Sequence, residues 1–364
     1  MLEIVFLIVV SVYFLISVSL VLGAKKSFPS LVENELPTVS IVVAARNEQE
    51  NINSCLESLD KLIYPNKKLE TIIINDDSTD KTREVVKEFI SNKSNFKLID
   101  LSDNLTGKLK GKVRAVTEGI EQARGDIILT TDADCEVNPL WAKTIASYYK
   151  NEVSVVNGFT SINVNNWFSG MQAIDFIYLL FVSAGTINLG SPVSCIGNNM
   201  SFGRKVYQET GGFKNLPFSI TEDFLLLKSI HKLKKFKVIY PVDRSGLVIS
   251  KPLKTIKELF NQKKRWAVGG LDATLLGKLL MFWAFAANLF ILLTPFLFSM
   301  VWLYLIFFKV ATDLFALVPI HQKLGLQKNL KYFPVFQIYF IIYTFVLPFI
   351  ILFSKKIKWK DRVY

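Results

Sequence analysis

The sequence predicts an α/β fold with a largely parallel sheet, flanked by apolar segments near both ends of the chain. Two observations predict it. Segments with strand and helix patterns alternate between about residues 25 and 278, and long apolar runs lie on either side. Strands and helices in alternation form a parallel sheet that is covered on both faces. The 364 residues suffice for one large domain and several membrane spans.

Composition supports membrane segments and excludes a disordered chain. Hydrophobic residues make up 51% of the sequence, and the mean hydropathy is positive, which is unusual for a soluble domain of this size. Charged residues still make up 20%, too many for a protein that lies wholly in lipid. The apolar content allows enough burial to offset the loss of chain entropy on folding.

The cysteines and histidines exclude two classes of site. Cys55, Cys135 and Cys195 are odd in number and form no Cys-x-x-Cys pair, which argues against a disulfide framework. His231 and His321 are too few and too far apart for a histidine-rich zinc site. Any metal would therefore be held mainly by carboxylates, which suits Mg²⁺ or Mn²⁺.

Seven secondary-structure elements are predicted in the first part of the α/β segment. Apolar runs predict strands at 39–45, 69–74, 96–101 and 126–130. Helical spacing predicts helices at 47–62, 80–89 and 112–123. Open parallel sheets bind ligands beyond the carboxyl ends of their strands, so we expect functional side chains in the loops that follow these strands.

Acidic residues follow three of the predicted strands. They are Glu48 after the first strand, Asp76, Asp77 and Asp80 after the second, and Asp132 and Asp134 after the fourth. Taken alone, each group fits ordinary helix capping. Three such clusters at the same end of one sheet favour a binding site over three independent solvated loops.

Asp132 and Asp134 give the sharpest local signal. Two carboxylates one residue apart at a strand end can hold a divalent cation and orient a ribose or a water molecule. A cation there would bind diphosphate oxygens and neutralise charge as a leaving group departs. An isolated Asp-x-Asp is common in surface loops, but this one directly follows the apolar residues 127–129.

Three further segments have two interpretations each. Lys112, at a predicted helix start, reaches a phosphate or is simply solvated, and helix N-termini favour anions. The amide-rich turn at 197–201 cradles a sugar or ends a strand. Asp223, preceded by Thr221 and Glu222, is a general base or part of an ordinary helix N-cap, and the local sequence does not decide.

Residues 251–278 form a basic stretch with apolar residues at helical spacing, which predicts an amphipathic helix at a membrane interface. The lysines fit this interpretation because they would face anionic headgroups. Gln262, Arg265 and Trp266 fit it less well, since arginine suits bidentate contact with phosphate and tryptophan suits stacking on a sugar.

The apolar run at 4–22 predicts a retained N-terminal anchor at residues 1–24. Its nineteen residues cover roughly 29 Å as a helix, close to the thickness of a hydrocarbon core. A cleaved signal peptide would have a basic start and a shorter apolar stretch. This run instead begins after Glu3 and is followed by Lys25 and Lys26, which predict a cytoplasmic location for the next domain.

Three apolar runs, at 279–298, 301–320 and 333–353, predict C-terminal membrane helices within residues 279–354. Three spans would put the basic tail at 355–364 outside, against the positive-inside rule, and two would put it inside. We give the tail charge more weight than the count. The run at 301–320 is then the doubtful span, because Lys309 and Asp313 are costly in lipid.

Together these residues resemble the family-2 glycosyltransferases with a GT-A fold, over about residues 37–270. Five segments carry the resemblance, in the family's order: the first strand and Asn-Glu turn at 37–48, a DDxSxD-like loop at 76–80, DxD at 132–134, TED at 221–223 and QxxRW at 262–266. The last motif is typical of membrane-attached members, such as ceramide glucosyltransferases and the synthases of cellulose, chitin and hyaluronan. The resemblance implies a Rossmann-like nucleotide-sugar domain at 37–250.

The resemblance also implies a role for each matching residue. The nucleotide-sugar donor would be bound by Glu48, Asp76, Asp77, Lys112, Asp132 and Arg265. The metal, Mg²⁺ or Mn²⁺, would be held by Asp134 and Asp132. Asp223 would be the catalytic base that takes the proton from the acceptor hydroxyl. The acceptor would be bound by Glu222, Gln262 and Trp266.

The implied activity is inverting transfer of a sugar from a nucleotide-diphosphate sugar to a hydroxyl of a lipid or glycan, at the cytoplasmic face of the inner or plasma membrane. Alternatives are a processive polysaccharide synthase, a membrane nucleotidyltransferase and a non-catalytic nucleotide-sugar sensor. Nucleic acid is not expected as a partner, because much of the net charge of +12 lies beside predicted spans, where membrane lipids explain it. Asp175, inside the apolar run 171–184, lines the acceptor entrance or faces the soluble domain.

Overall fold

A computed structural model describes residues 1–65, 67–101, 109–217, 219–353, 358–359 and 362–363. The chain forms two compact units. Residues 26–161 and 195–251 form the first, which we call the sheet unit. Residues 1–25, 162–194 and 252–364 form the second, which we call the helical unit. Residues 162–194 fall inside the range predicted for the α/β domain but pack within the helical unit.

A seven-stranded sheet is the centre of the sheet unit. Its strands in spatial order are β3 (Phe96–Leu101), β2 (Leu69–Asp76), β1 (Val39–Ala45), β4 (Ile127–Asp132), β8 (Met200–Gly203), β6 (Val153–Asn157) and β9 (Lys237–Ile239). The first four are mutually parallel, as predicted. β8 runs antiparallel to both of its neighbours, β4 and β6. A smaller sheet contains β5 (Cys135–Val137), β10 (Val248–Ser250) and β7 (Thr160–Ile162).

Helices cover both faces of the large sheet. Those of the sheet unit are α2 (Ile52–Asp60), α3 (Thr82–Ile90), α4 (Gly111–Gln122), α5 (Trp141–Ser147), α7 (Arg204–Glu209) and α8 (Glu222–Lys232). On one face, Val43 and Leu129 share a buried core with residues of α2 and α5. On the other face, a Cβ at Gly119 of α4 would lie 2.5 Å from Ile74 and 2.6 Å from Val42. α4 therefore packs directly on the sheet.

The first helix begins later than the pattern predicts, at Ile52 instead of Asn47. Asn47 has φ 52°, in the left-handed region. The backbone N–H groups of residues 47 and 49 donate to side chains of the loop after β2, both at 3.1 Å, and that of residue 48 donates to the side chain of Thr82, the first residue of α3, at 2.8 Å. Because these bonds tie the loops after β1 and β2 together, residues 47–49 belong to the edge of the sheet and not to α2.

In the helical unit, the described residues form long apolar helices and one shorter helix rich in basic residues. The apolar helices are α1 (Leu2–Ala24), α6 (Trp167–Asn188), α10 (Leu275–Leu292), α11 (Met300–Leu324) and α12 (Phe333–Phe353), and the basic helix is α9 (Ile256–Gly269). Within the described part of the chain, five segments are long and apolar enough to cross a membrane: α1, α6, α10, α11 and 327–350. α6 is the segment that the sequence did not predict as a span. A short hairpin, β11 (Lys358–Trp359) with β12 (Arg362–Val363), follows, and the rest of the predicted basic tail lies outside the described residues.

The doubtful run at 301–320 lies within one helix, α11, and its two charges pair with each other. Lys309 Nζ lies 2.8 Å from Asp313 Oδ2, and both side chains are fully buried. Asp313 also accepts hydrogen bonds from the Tyr13 hydroxyl at 2.6 Å and the Gln337 amide at 2.7 Å. Charges that are paired and hydrogen-bonded cost much less in an apolar surrounding, so the reason for doubting this run is removed.

α1 and α6 approach each other closely through glycines. A Cβ at Gly23 would lie 2.3 Å from the carbonyl oxygen of Gly185, and a Cβ at Gly185 would lie 2.7 Å from the carbonyl oxygen of Leu20. Small residues at a crossing let helix backbones come together, which is the main packing device of apolar helices.

Candidate active site

The carboxyl ends of β1, β2 and β4 bring the predicted acidic loops to one edge of the sheet. The register sets Ala44 of β1 beside Asp132 of β4, and Ala45 beside Asn75 of β2. Asp76 is the last residue of β2 and is buried. The loops that hold Glu48, Asp76, Asp77, Asp132 and Asp134 therefore begin side by side, as the parallel order predicts.

Arg46 and Asp77 shape the loop after β2. The Arg46 guanidinium donates to the main-chain oxygen of Asp76 at 2.7 Å and lies 3.9 Å from the Asp77 carboxylate. Asp77 has φ 55°, a conformation that few residues other than glycine adopt. Its side chain keeps 40% exposure, so the carboxylate is presented at the edge and can accept hydrogen bonds from a ligand such as a nucleotide.

Lys112 and Asp132 form an ion pair at the end of β4. Lys112, in the first turn of α4, donates to the Asp132 carboxylate. Burial disfavours the charged lysine, but the negative charges of Asp132, Glu222 and Asp223 hold the pKa of Lys112 above its ordinary value. The lysine thus remains a fixed cation among carboxylates that come from β4 and α8.

The surroundings of Asp134 disfavour its ionised form. Burial, followed by the negative charges of Asp132 and Glu48, raises the pKa of Asp134 to about 6. This part of the edge carries more negative charge than Lys112 offsets. A cation from outside the protein would relieve that excess.

Asp223, in the first turn of α8, lies against the turn that precedes β8. The backbone N–H of Phe224 donates to its carboxylate at 2.8 Å. A Cβ at Gly197 would lie only 3.2 Å from Asp223 Oδ2. Burial raises the pKa of Asp223, and the charge of Asp132 acts in the same direction, whereas Lys112 and the N–H groups of Phe224 and Gly197 oppose it.

Thr221 does not act as the helix cap that the sequence allowed. It occupies the N-cap position of α8, but its side chain makes no capping hydrogen bond to the described residues. Its hydroxyl instead lies 3.2 Å from the Ser219 hydroxyl. Simple capping therefore does not account for this motif, and the carboxylates of Glu222 and Asp223 interact with Lys112.

The side-chain amides of Asn198 and Asn199, in the turn at 197–201, form hydrogen bonds within the sheet unit. Asn199 donates to two main-chain carbonyl groups, at 2.7 and 2.9 Å, and accepts from the Trp141 indole at 2.9 Å. Asn198 accepts from the Thr160 hydroxyl at 2.9 Å, and both amides are buried. The turn leads into β8 and does not end a strand as the structural interpretation had it, and both side chains are used in hydrogen bonds within the sheet unit.

Gln262, Arg265 and Trp266 all lie on α9, in the helical unit, whereas the other predicted site residues lie in the sheet unit. Within the helical unit, the Trp266 ring stacks on Phe176 of α6 with centroids 5.5 Å apart and planes 14° apart. The donor role of Arg265 and the acceptor roles of Gln262 and Trp266 stay predictions.

Two residues of this edge, Arg46 and Gly197, were given no individual role from the sequence. Arg46 had a signal, because it directly follows a predicted strand at the end where ligands bind. Gly197 lies in the turn that was given two interpretations, but its contact with Asp223 could not be predicted, because the two segments are separate in the sequence.

Asp132 and Asp134 fit a divalent cation. Among the described residues, no three His, Cys, Asp or Glu side chains converge to hold a metal by themselves. Mg²⁺ does not need such a cage, because it is usually bound by one or two carboxylates together with substrate phosphates and water. The hard oxygen donors and the raised pKa of Asp134 agree with a cation that a phosphorylated ligand helps to hold.

A mixed sheet with an Asp-x-Asp motif at the end of a central parallel strand defines the class as a GT-A type α/β protein. The profile of Glycosyl transferase family 2 matches residues 40–212, and that of Glycosyl transferase family group 2 matches residues 127–353. The second match covers more than half of the chain, and the protein belongs to this glycosyl transferase family. The predicted family is confirmed.

Two curated relatives illustrate the range within the family. A beta-monoglucosyldiacylglycerol synthase of Nostoc sp. is 29% identical over 262 residues, which are 70% of this chain and 53% of the relative. A poly-beta-1,6-N-acetyl-D-glucosamine synthase of Staphylococcus epidermidis is 29% identical over 277 residues, which are 74% of this chain and 63% of the relative. The chain thus spans between 53% and 63% of the length of these relatives.

A solved structure with the same fold is a mannosyltransferase from Pyrobaculum calidifontis, in complex with GDP-Man and Mn²⁺. The two structures align with a TM-score of 0.60 and 18% sequence identity, over 92% of this chain and 98% of that one. The predicted α/β fold of GT-A type is confirmed.

Proposed function

We propose that this protein is an inverting glycosyltransferase that moves a sugar from a nucleotide-diphosphate sugar to a hydroxyl of a lipid or glycan. The observation that carries the proposal is the set of interactions that joins Lys112 with Asp132, Glu222 and Asp223, three acids from two separate segments. Family membership supports the reaction class. The two relatives, which are named as synthases of a glucolipid and of a polysaccharide, support these two kinds of acceptor.

The sheet edge would bind the donor. Mg²⁺ or Mn²⁺, held by Asp132 and Asp134, supplies charge compensation for a diphosphate leaving group when it is bound. Lys112 keeps its proton and its positive charge beside Asp132, where it stabilises the negative charge that develops on the diphosphate. The loops after β1 and β2 would bind the nucleotide, through Glu48, Asp76 and Asp77.

Asp223 is the proposed general base. It must be ionised to take the proton from the acceptor hydroxyl, and the N–H groups of Phe224 and Gly197 and the charge of Lys112 favour the ionised form. Burial raises its pKa and so makes the carboxylate more basic than an exposed one. The acceptor oxygen then attacks the anomeric carbon opposite the diphosphate, which inverts the configuration.

The motif on α9 would complete the site. Arg265 would contact the diphosphate, because a guanidinium binds phosphate oxygens in a bidentate manner. Gln262 and Trp266, together with Glu222 of the sheet unit, would bind the acceptor.

We infer that the protein is integral to the inner or plasma membrane with the sheet unit in the cytoplasm. Lys25 and Lys26 after α1 support this orientation. A single crossing by α6 is incompatible with the sheet, since β8, which follows α6, pairs with β4 and β6, which precede it. The crossing segments are then found among α1, α10, α11 and 327–350.

The test uses purified protein in detergent with Mn²⁺, a panel of radiolabelled nucleotide sugars and a total lipid extract. Label that moves into the organic phase supports transfer to a lipid, and label in an aqueous product of high mass supports a polysaccharide synthase. Asp223→Asn should abolish either transfer. Glu209→Gln is the matched control, because Glu209 is an exposed acid of the same unit that pairs with Lys235.

Two results would contradict the proposal in different ways. Transfer by Asp223→Asn at the wild-type rate would remove Asp223 as the base. No transfer from any donor by the wild-type protein, with either class of product, would remove the proposed activity.

A further inference from the structure

A buried ion pair in the helical unit is used by none of the proposed steps. Lys263 of α9 contacts the carboxylate of Asp175 on α6, and the two side chains are 6% and 3% exposed. The second carboxylate oxygen of Asp175 is buried and has no hydrogen-bond partner among the described residues. Lys263 is therefore the described cation that favours the ionised form of this buried carboxylate.

The same lysine lies over aromatic rings. Its Nζ is 4.5 Å from the centre of the Trp266 ring and 5.2 Å from that of Tyr343 on α12. Trp266 in turn stacks on Phe176, the residue next to Asp175. Asp175 and Phe176 of α6 thus contact Lys263 and Trp266 of α9, respectively. Lys263 and Trp266 are three positions apart and therefore lie on one face of α9.

We propose that Asp175 is a positioning residue, which holds Lys263 over Trp266 and so fixes the orientation of Trp266 in the α9 motif. This inference rests on the proposed function, in which Trp266 binds the acceptor. Asp175 is 3% exposed and has a lysine partner, so it is buried within the helical unit, and its two interpretations from the sequence stay predictions.

The physical argument concerns the charge of Lys263. Burial lowers the pKa of Lys263, and the negative charge of Asp175 opposes that effect. Without this carboxylate, the lysine loses its proton or moves its ammonium group towards water. In both cases the cation–π contact with Trp266 is lost, since it requires a charged group over the ring.

The test compares Asp175→Asn, Asp175→Glu and Asp272→Asn in steady-state kinetics. Asp272 is the matched control, because it is an exposed acid in the short helix that follows α9. Asp175→Asn should raise the acceptor KM about tenfold and leave the donor KM within about twofold, as expected for loss of one cation–π contact in the acceptor subsite. Asp175→Glu should recover part of the loss.

A second measurement does not depend on activity. Asp175→Asn should increase the quenching of tryptophan fluorescence by acrylamide, and the same substitution should change nothing in a Trp266→Phe background. Wild-type quenching together with a wild-type acceptor KM would overturn the inference. The inference would also be overturned if Asp175→Asn raised the donor KM and the acceptor KM equally and lowered the thermal midpoint, because that result is expected if the pair of Asp175 and Lys263 only stabilises the fold. An inactive wild type would contradict the proposed function, and the quenching comparison would still decide the positioning role.

Discussion

The two units differ in how far the charges of their partly or wholly buried acids are compensated. At the edge of the sheet, Asp132, Asp134 and Asp223 surround one lysine, and burial together with carboxylate repulsion raises the pKa of Asp134 and of Asp223. In the helical unit, Asp313 is met by Lys309, by a hydroxyl and by an amide. Acids under repulsion are typical of functional sites, which agrees with the proposed roles of the sheet-edge acids, whereas the compensated Asp313 joins helices.

The largest effect expected from this comparison is the loss of a carboxylate at the sheet edge. Asp134→Asn keeps the size of the side chain but removes a proposed metal ligand. We expect the transfer rate to fall about 10²- to 10³-fold, because compensation of the leaving group is lost. Mn²⁺ titration of the rate measures the effect. A loss of stability that parallels the loss of rate would instead class Asp134 with the structural acids.

The matching change in the helical unit should act on stability. Asp313→Ala leaves Lys309 buried without its counter-charge, so we expect the free energy of unfolding to fall by about 3–5 kcal/mol. The double variant Lys309→Met/Asp313→Leu should lose less, because no buried charge remains. Unfolding in detergent micelles measures both, and a stable Asp313→Ala single variant would break the comparison.

A smaller effect on stability is expected from a substitution at the crossing of α1 and α6 in the helical unit. Gly23→Ala places a methyl group 2.3 Å from the carbonyl oxygen of Gly185, so α1 and α6 must separate. The expected cost is about 1–3 kcal/mol, typical of overpacking. Gly270→Ala is the control, because a Cβ there would meet nothing within 4 Å. Equal thermal midpoints for the two variants would contradict the close crossing.

The smallest effect is a pH dependence of the metal-free protein. The pKa of Asp134 is raised from 3.8 to about 6, so folding disfavours its ionised form. Stability should therefore fall as the pH rises from about 4 to about 6 and stay level above that. Allowing for solvent screening, the contribution is about 1 kcal/mol.

Thermal midpoints in a chelator at pH 4.5 and pH 7 measure this contribution. Asp134→Asn should gain stability relative to the wild type at pH 7 and not at pH 4.5. A difference between the two proteins that is independent of pH would mean that Asp134 ionises freely in the folded state.

The parallel half of the sheet could be predicted because its signals are local. Apolar runs mark β1 to β4, and parallel strands bring the acids that follow them to one edge. β8 could not be predicted in the same way. It is four residues long, and its place between β4 and β6 depends on pairing with segments far away in the sequence.

The ion pairs of the helical unit show which contacts can and cannot be predicted from neighbouring positions in the sequence. Lys309 and Asp313 are four residues apart, so a helix puts them on one face, and their pairing could have been predicted, although the sequence analysis took both charges only as a cost in lipid. Asp175 and Lys263 are 88 positions apart and give no such signal. Their contact exists only because α6 and α9 pack together in the folded chain.

The sequence of α6 also bears on membrane insertion during synthesis of the chain. Among the candidate spans of the described residues it has the lowest mean hydropathy, and Asp175 lies near its middle. When α6 leaves the ribosome, Lys263 has not been synthesised, and a lone acid opposes lateral release from the translocon into lipid. In the proposed topology, a lone Asp175 would favour keeping the nascent chain on the side where residues 200–203 pair with β4 and β6 as β8.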